Sequence, residues 1–281
     1  MTSPVPALTV LIAARNEEAW IGPCLAALAG QAEPAGGPVE VIVVANGCTD
    51  DTAGRARSAA PAFAARGWRL VVLELAQGGK LGALAAGETA ASGGALAYLD
   101  ADVTCDQGLL AALAEVLDTP VPRYATGRLA IAPARSRFTR GYARIWARLP
   151  FVRSGAVGAG LFALNRPGRA RWGAWPEIIS DDTFARLQFR PDERHEVPLR
   201  YHWPMVEGFA NLVRVRRRQD AGVAQIADRF PRLLANEGKA PVTPALLARL
   251  ALSDPPGLAA YLAVHVAVRL QRHSGDWTRG R

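Results

Sequence analysis

The stretch Leu8-Thr9-Val10-Leu11-Ile12-Ala13-Ala14-Arg15-Asn16-Glu17-Glu18 sets the pattern for the first half of the chain. Its first six residues form a short, uninterrupted apolar run, which is typical of a strand covered on both faces. Asn16 and the two glutamates then supply a capping side chain and early carboxylates, which favour a helix that runs to Leu28. The stretch predicts a buried strand followed directly by a helix.

This alternation of strand and helix continues to residue 102. Three further apolar runs indicate strands, at residues 39–44, 68–73 and 95–99. Thr49 or Asp50 can cap a helix after the second strand, and an Ala-rich helix is predicted over residues 81–91. Strands and helices that alternate with short loops predict an α/β fold, with a mainly parallel sheet flanked by helices.

Polar residues follow the predicted strands, at 15–17, 46–51, Lys80 and 100–102. In sheets of this type, ligands bind beyond the carboxyl ends of the strands. We therefore expect these polar residues to converge on one edge of the sheet and to form a ligand site there.

Asp100-Ala101-Asp102 directly follows the fourth predicted strand. If the extended backbone continues past Leu99, the period of two points both carboxylates the same way. Two adjacent carboxylates repel each other, and Mg²⁺ or Mn²⁺ relieves that repulsion, with substrate phosphates as further ligands. The alternative interpretation is a pair of acids in a solvated loop.

Lys80 lies in the segment Gly78-Gly79-Lys80-Leu81-Gly82, at the mouth of the same edge. Its ammonium can meet a phosphate or a hydroxyl, and the glycines allow close approach of the backbone. The spacing of a Walker loop is absent, as is a GxGxxG motif after the first strand, which argues against a dinucleotide-dependent dehydrogenase. An ordinary lysine at a helix start is the other interpretation.

Five segments in this order resemble the motifs of the family 2 glycosyltransferases, which are inverting enzymes of the GT-A fold. Residues 11–18 are similar to the opening "P-x-x-N-E" strand and turn, and residues 43–52 to the "V-D-D-G-S-x-D-x-T" segment. Residues 79–87 resemble "G-K-x-x-A-L-N-x-G", residues 98–102 carry the Asp-x-Asp motif, and residues 180–183 resemble the later acidic pair. The resemblance covers residues 8–190 and implies a Rossmann-like nucleotide-binding half joined to an acceptor half.

The resemblance also implies roles for individual residues. Asp182 matches the position of the general base, with its neighbour Asp181 as the other candidate. Asp102 and Asp100 match the ligands of a Mn²⁺ or Mg²⁺ ion. The residues implied in binding a nucleotide-sugar donor are Ala13, Arg15, Glu17, Asn46, Lys80, Asp100, Arg217 and Arg218. Ala45-Asn46 stands where the family often has an acidic pair that contacts the nucleotide base. The identity of the nucleotide in the donor is therefore left open.

The implied reaction is direct displacement at the anomeric carbon of the sugar. A carboxylate takes the proton of the acceptor hydroxyl, and the metal stabilises the departing nucleoside diphosphate. Arg217 or Arg218 can add a second clamp on the diphosphate, although a solvated basic face is the alternative. His202 is a further candidate metal ligand, and a packed or surface histidine is its simpler interpretation.

The second half of the chain is less regular. We expect residues 1–240 to form one glycosyltransferase domain, with a nucleotide-sugar half at 1–118 and an acceptor half at 119–240. A glycine-rich turn at 155–160 leads into a predicted strand at 161–164, and the tail at 241–281 is predicted to be helical.

The net charge changes from negative to positive at about the boundary between these two halves. Residues 1–118 carry 6 Lys and Arg against 13 Asp and Glu, whereas residues 119–281 carry 27 against 12. Residues 137–149 add a helix with an apolar stripe formed by Phe138, Tyr142, Ile145, Trp146 and Leu149, and with four arginines elsewhere. Such a helix can lie in the headgroups of an anionic membrane, or its stripe can pack on the sheet.

Composition indicates where the protein works. No apolar run reaches the ~18 residues of a membrane span, and residues 1–7 lack the pattern of a secretory signal. The three cysteines, Cys24, Cys48 and Cys105, are widely spaced, which suits a reducing compartment. We expect a cytoplasmic enzyme that contacts the inner face of a membrane and uses a glycan or a lipid-linked acceptor.

Two other functions compete with this one. A sugar nucleotidyltransferase shares the sheet and the metal chemistry, but it needs a basic, glycine-rich loop after the first strand, where this chain has residues 13–17. A non-catalytic anion-binding protein would use the basic half, but no nucleic-acid motif is present and the acidic edge repels phosphates. We therefore expect no nucleic-acid partner, and the oligomeric state is left open.

Overall fold

A computed structural model describes residues 6–153 and 156–270. Within these ranges the strands are β1 (Leu8–Ala14), β2 (Val39–Asn46), β3 (Arg69–Leu75), β4 (Ala95–Leu99), β5 (Thr104–Cys105), β6 (Tyr124–Ile131), β7 (Leu161–Asn165) and β8 (Arg194–Trp203). They form one sheet in the order β3-β2-β1-β4-β7-β6-β8-β5. The motifs of the first half thus map onto one end of this sheet, and the less regular second half maps onto the other.

The helices flank this sheet and extend beyond it. They are α1 (Glu18–Ala29), α2 (Thr52–Ser58), α3 (Ala60–Ala64), α4 (Lys80–Ala90), α5 (Leu109–Leu117), α6 (Arg137–Trp146), α7 (Pro150–Arg153), α8 (Arg166–Arg169), α9 (Asp181–Leu187), α10 (Phe209–Arg229), α11 (Pro244–Ser253) and α12 (Pro255–Leu270). Two short 3₁₀ helices lie at Pro191–Glu193 and Pro231–Asn236.

The first four strands form the parallel part of the sheet. β1 lies between β2 and β4, with Leu8 paired to Val39 on one side and to Ala95 on the other. Alternate residues of β1 face opposite helices: Val10 packs in the cluster that contains α1, and Leu11 packs in the cluster that contains α4. Both faces are buried, which is why these strands read as uninterrupted apolar runs. The four predicted strands are confirmed.

The other strands make the sheet mixed. β7 runs antiparallel to β4 and β6, β8 is parallel to β6, and β5 is antiparallel to β8. The chain runs from β1 to its neighbour β2, whereas the neighbour of β1 on the other side is β4. The carboxyl ends of β1 and β4 therefore border a crevice where the strand order reverses, which is the usual place for a ligand in an α/β sheet.

The residues predicted to cap the N-termini of α1 and α2 are wrong. Asn16 has a positive φ of 55° and does not cap α1; its side-chain amide donates to the Thr49 hydroxyl, and its carbonyl accepts from the Thr49 amide. Likewise, α2 begins at Thr52, and neither Thr49 nor Asp50 is its N-cap residue. Asp50 instead accepts from the backbone of Glu18 and of Thr52. These side chains join the two turns that follow β1 and β2.

The apolar stripe of α6 is buried inside the protein. Tyr142, Ile145, Trp146 and Leu149 are at most 4% exposed, and Tyr142, Trp146 and Leu149 pack in a cluster that also contains residues of α10 and α12. The stripe therefore cannot insert into a membrane. Of the two interpretations of this helix, the one in which the stripe packs inside the protein is correct. The arginines of α6 lie on its other faces, where Arg144 pairs with Asp254 at the start of α12.

The tail is helical as predicted, over the part that the structure describes. Asp254 and Pro255 separate α11 from α12, and the Thr243 side chain caps α11 by accepting from the Leu246 amide. Among the described residues, no helix combines the length and the apolar character needed to cross a bilayer. The predictions for residues 1–5, for the start of the turn at 155 and for the tail at 271–281 lie outside the described residues.

Candidate active site

A cleft of about 530 Å³ lies at the carboxyl ends of β1, β2 and β4. Its floor and one wall come from the turns that follow these strands, and its other wall comes from the start of α9, the end of β8 and one face of α10. Most of the residues predicted for the site line this cleft: Ala13, Arg15, Glu17, Asn46, Lys80, Asp100, Asp102, Asp181, Asp182 and Arg218. The expected convergence on one edge of the sheet is present.

Asn46 is positioned to hold the cleft together. Its side chain is 2% exposed, and its amide nitrogen donates to the carbonyl of Ala14 at 2.8 Å and to that of Val44 at 3.3 Å. Its amide oxygen accepts from the Gly79 backbone at 3.0 Å. Both of its N–H groups are used inside the protein. These hydrogen bonds fix the loop before Lys80 against the ends of β1 and β2.

Arg15 lies across the same loop. Its guanidinium packs so closely on Gly78 that a Cβ atom at that position would lie 2.7 Å from Nη1. A side chain at residue 78 would displace the flexible end of the arginine, so the glycine allows this close approach. Within the described chain, the Arg15 Nε atom is buried without a hydrogen-bond partner. This places a cation of the β1 turn at the edge of the cleft.

Lys80 links the two acidic pairs of the cleft. Its ammonium nitrogen lies 3.1 Å from Oδ1 of Asp100 and 3.0 Å from Oδ2 of Asp181. Burial by itself lowers the pKa of Lys80, but the carboxylates of Asp100, Asp181 and Asp182 outweigh it and raise that pKa above its usual value. Lys80 is therefore charged at neutral pH, and the sequence alone did not show that it touches both pairs.

Asp100 and Asp102 lie on a tight turn rather than on an extended strand. β4 ends at Leu99, the Asp100 amide donates to the carbonyl of Gly160, and the Val103 amide donates back to the carbonyl of Asp100. The prediction that a continued strand aims both carboxylates the same way is wrong. Both residues nevertheless line the cleft, because the turn folds them toward it.

The donor set of this turn fits a hard divalent cation. In residues 6–153 and 156–270, no group of three or more His, Cys, Asp and Glu side chains is arranged to hold a metal by itself. Mg²⁺ and Mn²⁺ are commonly held by one or two carboxylates, with substrate phosphates and waters as the other ligands. Two carboxylates that border an open cleft match that arrangement, so Asp100 and Asp102 remain the proposed ligands.

Asp181 and Asp182 occupy the first turn of α9. Asp181 is 5% exposed and pairs with Lys80, whereas Asp182 accepts from the Thr183 amide at 2.6 Å. Burial, followed by the nearby charge of Asp181, raises the pKa of Asp182 to about 6, although Lys80 opposes the shift. A carboxylate with a pKa near the working pH is suited to take up a proton.

The two arginines proposed for the diphosphate separate in the structure. Arg218 lines the cleft with Val215 and Gln219, which are neighbours on one face of α10, whereas Arg217 does not line it. Of the two arginines offered for the diphosphate clamp, Arg218 is therefore the one that the structure places at the cleft.

α10 is held close to the acidic pair by a glycine. A Cβ atom at Gly222 would lie 2.1 Å from the hydroxyl of Ser180, and the Gln225 side chain accepts from the Ile179 amide. This contact fixes the segment before Asp181 against the helix that carries Arg218. Nothing in the sequence showed which face of α10 would meet the cleft.

His202 lies away from the cleft. Its Nε2 atom is 2.7 Å from Oδ1 of Asp106, and it does not line the cleft, whereas the next residue of β8, Trp203, does. Successive side chains of a strand point to opposite faces, which explains the difference. The simpler interpretation of His202 as a packed or surface residue is therefore correct.

Sequence reasoning missed an apolar wall on the acceptor side. Four apolar side chains line this part of the cleft: Ile179, Trp203, Val206 and Val215. Trp203 stacks on Trp146 of α6 at a centroid distance of 5.8 Å, so it is held in place by the helix. Residues of this kind have no motif, and only their position in the fold brings them together.

The family profile described as Glycosyl transferase family 2 matches residues 9–191, which include every turn of the cleft from β1 to α9. The chain belongs to glycosyltransferase family 2. This membership identifies the domain as a glycosyltransferase domain. It confirms the resemblance drawn from the motifs at residues 8–190.

Individual relatives agree with this assignment. The chain is 29% identical over 215 residues to a 4,4'-diaponeurosporenoate glycosyltransferase of Staphylococcus aureus (strain bovine RF122 / ET3-1), a match that covers 72% of this chain and 49% of that protein. The chain thus spans about half the length of this curated relative.

Solved structures show the same fold. A mannosyltransferase, PcManGT from Pyrobaculum calidifontis in complex with GDP-Man and Mn²⁺, has a TM-score of 0.60 at 21% identity, covering 96% of this chain and 76% of its own. Residues 1–349 of S. aureus TarS in complex with UDP-GlcNAc have a TM-score of 0.54 at 16% identity, covering 93% of this chain and 81% of that one. The mixed sheet with flanking helices is therefore the GT-A glycosyltransferase fold.

Proposed function

We propose that this protein transfers a sugar, with inversion, from a nucleoside-diphosphate sugar to an acceptor hydroxyl, and that it depends on Mn²⁺ or Mg²⁺. One observation carries the proposal: Lys80 contacts Asp100 at 3.1 Å and Asp181 at 3.0 Å, so the Asp-x-Asp turn and the acidic pair of α9 meet in one cleft. A donor phosphate beside the turn and an acceptor beside α9 would then lie within reach of each other.

In the proposed reaction, Asp182 takes the proton from the acceptor hydroxyl. The acceptor oxygen bonds to the anomeric carbon as the bond from that carbon to the diphosphate oxygen breaks, so the configuration inverts. The raised pKa of Asp182, about 6, leaves the carboxylate mainly ionised at pH 7 and still basic enough to bind the proton. Asp181 pairs with Lys80, which makes it the weaker candidate for this role.

The departing diphosphate gains negative charge, and the cleft offers cations to stabilise it. Asp100 and Asp102 would hold the divalent cation, which supplies Lewis-acid stabilisation of the leaving group. Lys80 adds a charged ammonium beside the same turn, and Arg218 adds a guanidinium on the facing helix. Arg15, Glu17 and Ala13 line the part of the cleft that we assign to the nucleotide.

The acceptor is proposed to carry an apolar part. Trp203, Val206 and Val215 form a wall opposite the donor turns, where a fully polar glycan would leave apolar surface uncovered. The relative named for 4,4'-diaponeurosporenoate supports an acceptor with hydrocarbon character. We therefore favour a lipid or a lipid-linked acceptor over a free glycan, and a cytoplasmic location, which suits three free cysteines.

A screen of nucleoside-diphosphate sugars tests this proposal. Each donor is added with and without Mn²⁺, and the melting temperature of the protein is recorded; a donor at 100 times its dissociation constant stabilises by about 2.7 kcal/mol. Sugar transfer with release of nucleoside diphosphate would support the proposal. Release of pyrophosphate from a nucleoside triphosphate and a sugar phosphate would instead indicate a nucleotidyltransferase, and binding without turnover would indicate an anion-binding protein.

The acceptor side is tested by a matched pair on α10. Val215→Asp places a charge in the apolar wall, whereas Val223→Asp places one at a 43% exposed position of the same helix that does not line the cleft. We expect Val215→Asp to reduce transfer to a long-chain alcohol or lipid-linked acceptor while donor binding is unchanged. Equal transfer by both variants would exclude the apolar wall from acceptor binding.

A further inference from the structure

The two C-terminal helices expose apolar side chains to solvent. Leu252 at the end of α11 is 87% exposed, and Leu270 at the end of α12 is 80% exposed. Leu247, Leu262 and Val266 are between 38% and 50% exposed. Single exposed leucines are ordinary on a protein surface, but several on two adjacent helices form a patch that calls for a partner.

The spacing of these residues gives α12 a defined outer face. Leu262, Val266 and Leu270 follow one another at intervals of four, which places them in one line along α12. The inner face of α12 is a different set of residues, Gly257, Ala260 and Val264, and it packs toward α6 and α10. In α11, Leu250 is the buried residue. The outer leucines are therefore not needed to attach these helices to the fold.

The charges around this outer face are positive. Residues 244–270 contain one acid, Asp254, and its carboxylate pairs with Arg144 at 2.7 Å and accepts from the Gly257 amide. Arg249 and Arg269 are exposed on α11 and α12. Arg148, in the turn that follows α6, donates to the hydroxyl of Ser253, the residue after Leu252. Leucines bordered by arginines, with the nearby acid already paired, match the chemistry of an anionic lipid surface.

We propose that the outer face of α11 and α12, formed by Leu252, Leu262, Val266 and Leu270, docks on an anionic phospholipid bilayer. The leucines would enter the boundary between headgroups and acyl chains, while the long arginine side chains reach the phosphates. A second copy of the chain fits this face less well, because in a two-fold contact the basic surface would face itself, and the one acid of residues 244–270, Asp254, is already paired with Arg144. This inference does not depend on the proposed catalytic function.

Helix α12 shares a core cluster with the cleft. Trp203 and Val206 line the cleft and also pack against the cluster that contains Val264 of α12. If the proposed function is correct, docking through α12 would hold the cleft near a bilayer that carries the acceptor.

Sedimentation with vesicles tests the docking surface directly. The full chain is mixed with phosphatidylcholine vesicles, with or without about one-third phosphatidylglycerol, at low and at high salt. We expect sedimentation with the anionic vesicles at low salt, and about a tenfold weaker partition for each leucine replaced by aspartate, at Leu252 and Leu262. Val121→Asp and Leu234→Asp are the matched controls, because these exposed residues lie elsewhere on the surface.

Three results would overturn the proposal. These are failure of the wild type to bind anionic vesicles at low salt, equal loss in the control variants, and a dimer in light scattering that Leu252→Asp dissociates. Arg249→Glu with Arg269→Glu provides a second measurement, and it should abolish the preference for anionic over neutral vesicles. Unchanged circular dichroism and melting temperature show that the variants are folded, and donor binding by the same samples separates a failure of docking from a failure of the proposed function.

Discussion

The two acidic pairs of the cleft have the same side chains and different surroundings. Asp100 and Asp102 lie on a turn after a strand, and the Asp100 side chain is 36% exposed. Asp181 and Asp182 open a helix, and the Asp181 side chain is 7% exposed. Burial raises the pKa of Asp182 to about 6. Environment rather than residue type thus suits one pair to cations and phosphates and the other to proton transfer.

The sharpest test of this comparison is Asp182→Asn. We expect the substitution to lower kcat by roughly 10²–10⁴-fold, because the amide cannot accept the proton of the acceptor, while donor affinity changes little. Steady-state kinetics and a donor titration measure the two quantities. Asp192→Asn is the control, since Asp192 is exposed and outside the cleft. A dead Asp181→Asn beside an active Asp182→Asn would reverse the assignment within the pair.

The other pair is tested by Asp102→Asn. Loss of a carboxylate from the turn should weaken Mn²⁺-dependent donor binding and lower kcat/KM by roughly 10–100-fold, because charge stabilisation of the leaving group is worth several kcal/mol. Calorimetric titration of the donor with and without Mn²⁺ measures the effect. Full activity of this variant in a chelator would show that the turn does not act through a metal.

The pH dependence of kcat/KM tests whether Asp182 is the general base. Because the base must be ionised, kcat/KM should fall about tenfold for each pH unit below 6. Lys80 lowers the pKa of Asp182, so Lys80→Met should move this limb to higher pH as well as reducing the rate. A flat profile between about pH 5 and 7 would contradict a buried base.

The smallest expected change in donor KM concerns the two neighbouring arginines of α10, Arg217 and Arg218. Arg218→Gln should raise the donor KM by roughly 3–10-fold, the value of a charge-assisted hydrogen bond in a solvated cleft. Arg217→Gln should leave the donor KM close to that of the wild type, since Arg217 does not line the cleft. If the two variants behave alike, the positive charge acts at long range rather than by contact.

The parallel strands could be predicted because their chemistry is local. β1, β2 and β4 are buried on both faces, so each appears as an apolar run bounded by polar residues, and the strand ends locate the cleft. β6 and β8 were not predicted, because their burial changes along their length and Pro198 interrupts β8. Long-range pairing, rather than the local pattern, defines those strands.

The sequence predicted which residues form the site, but not which of them touch each other. Motifs located Lys80, Asp102 and Asp182, but they did not show that Lys80 joins Asp100, which is 20 residues away, to Asp181 in a distant segment of the chain. The α6 stripe shows the same limit, because an apolar helical face that packs on Tyr261 looks identical in sequence to one that meets lipid. Only the neighbours of a surface decide between these possibilities.

The bridge made by Lys80 also bears on how the domain folds. Carboxylates that lie close together repel, and a cleft built from them would tend to open before any ligand arrived. The ammonium of Lys80 lies between Asp100 and Asp181 as an internal counter-ion. The carboxylates can therefore lie close together in the folded domain before a ligand binds, because a charge of the protein itself preorganises the cleft.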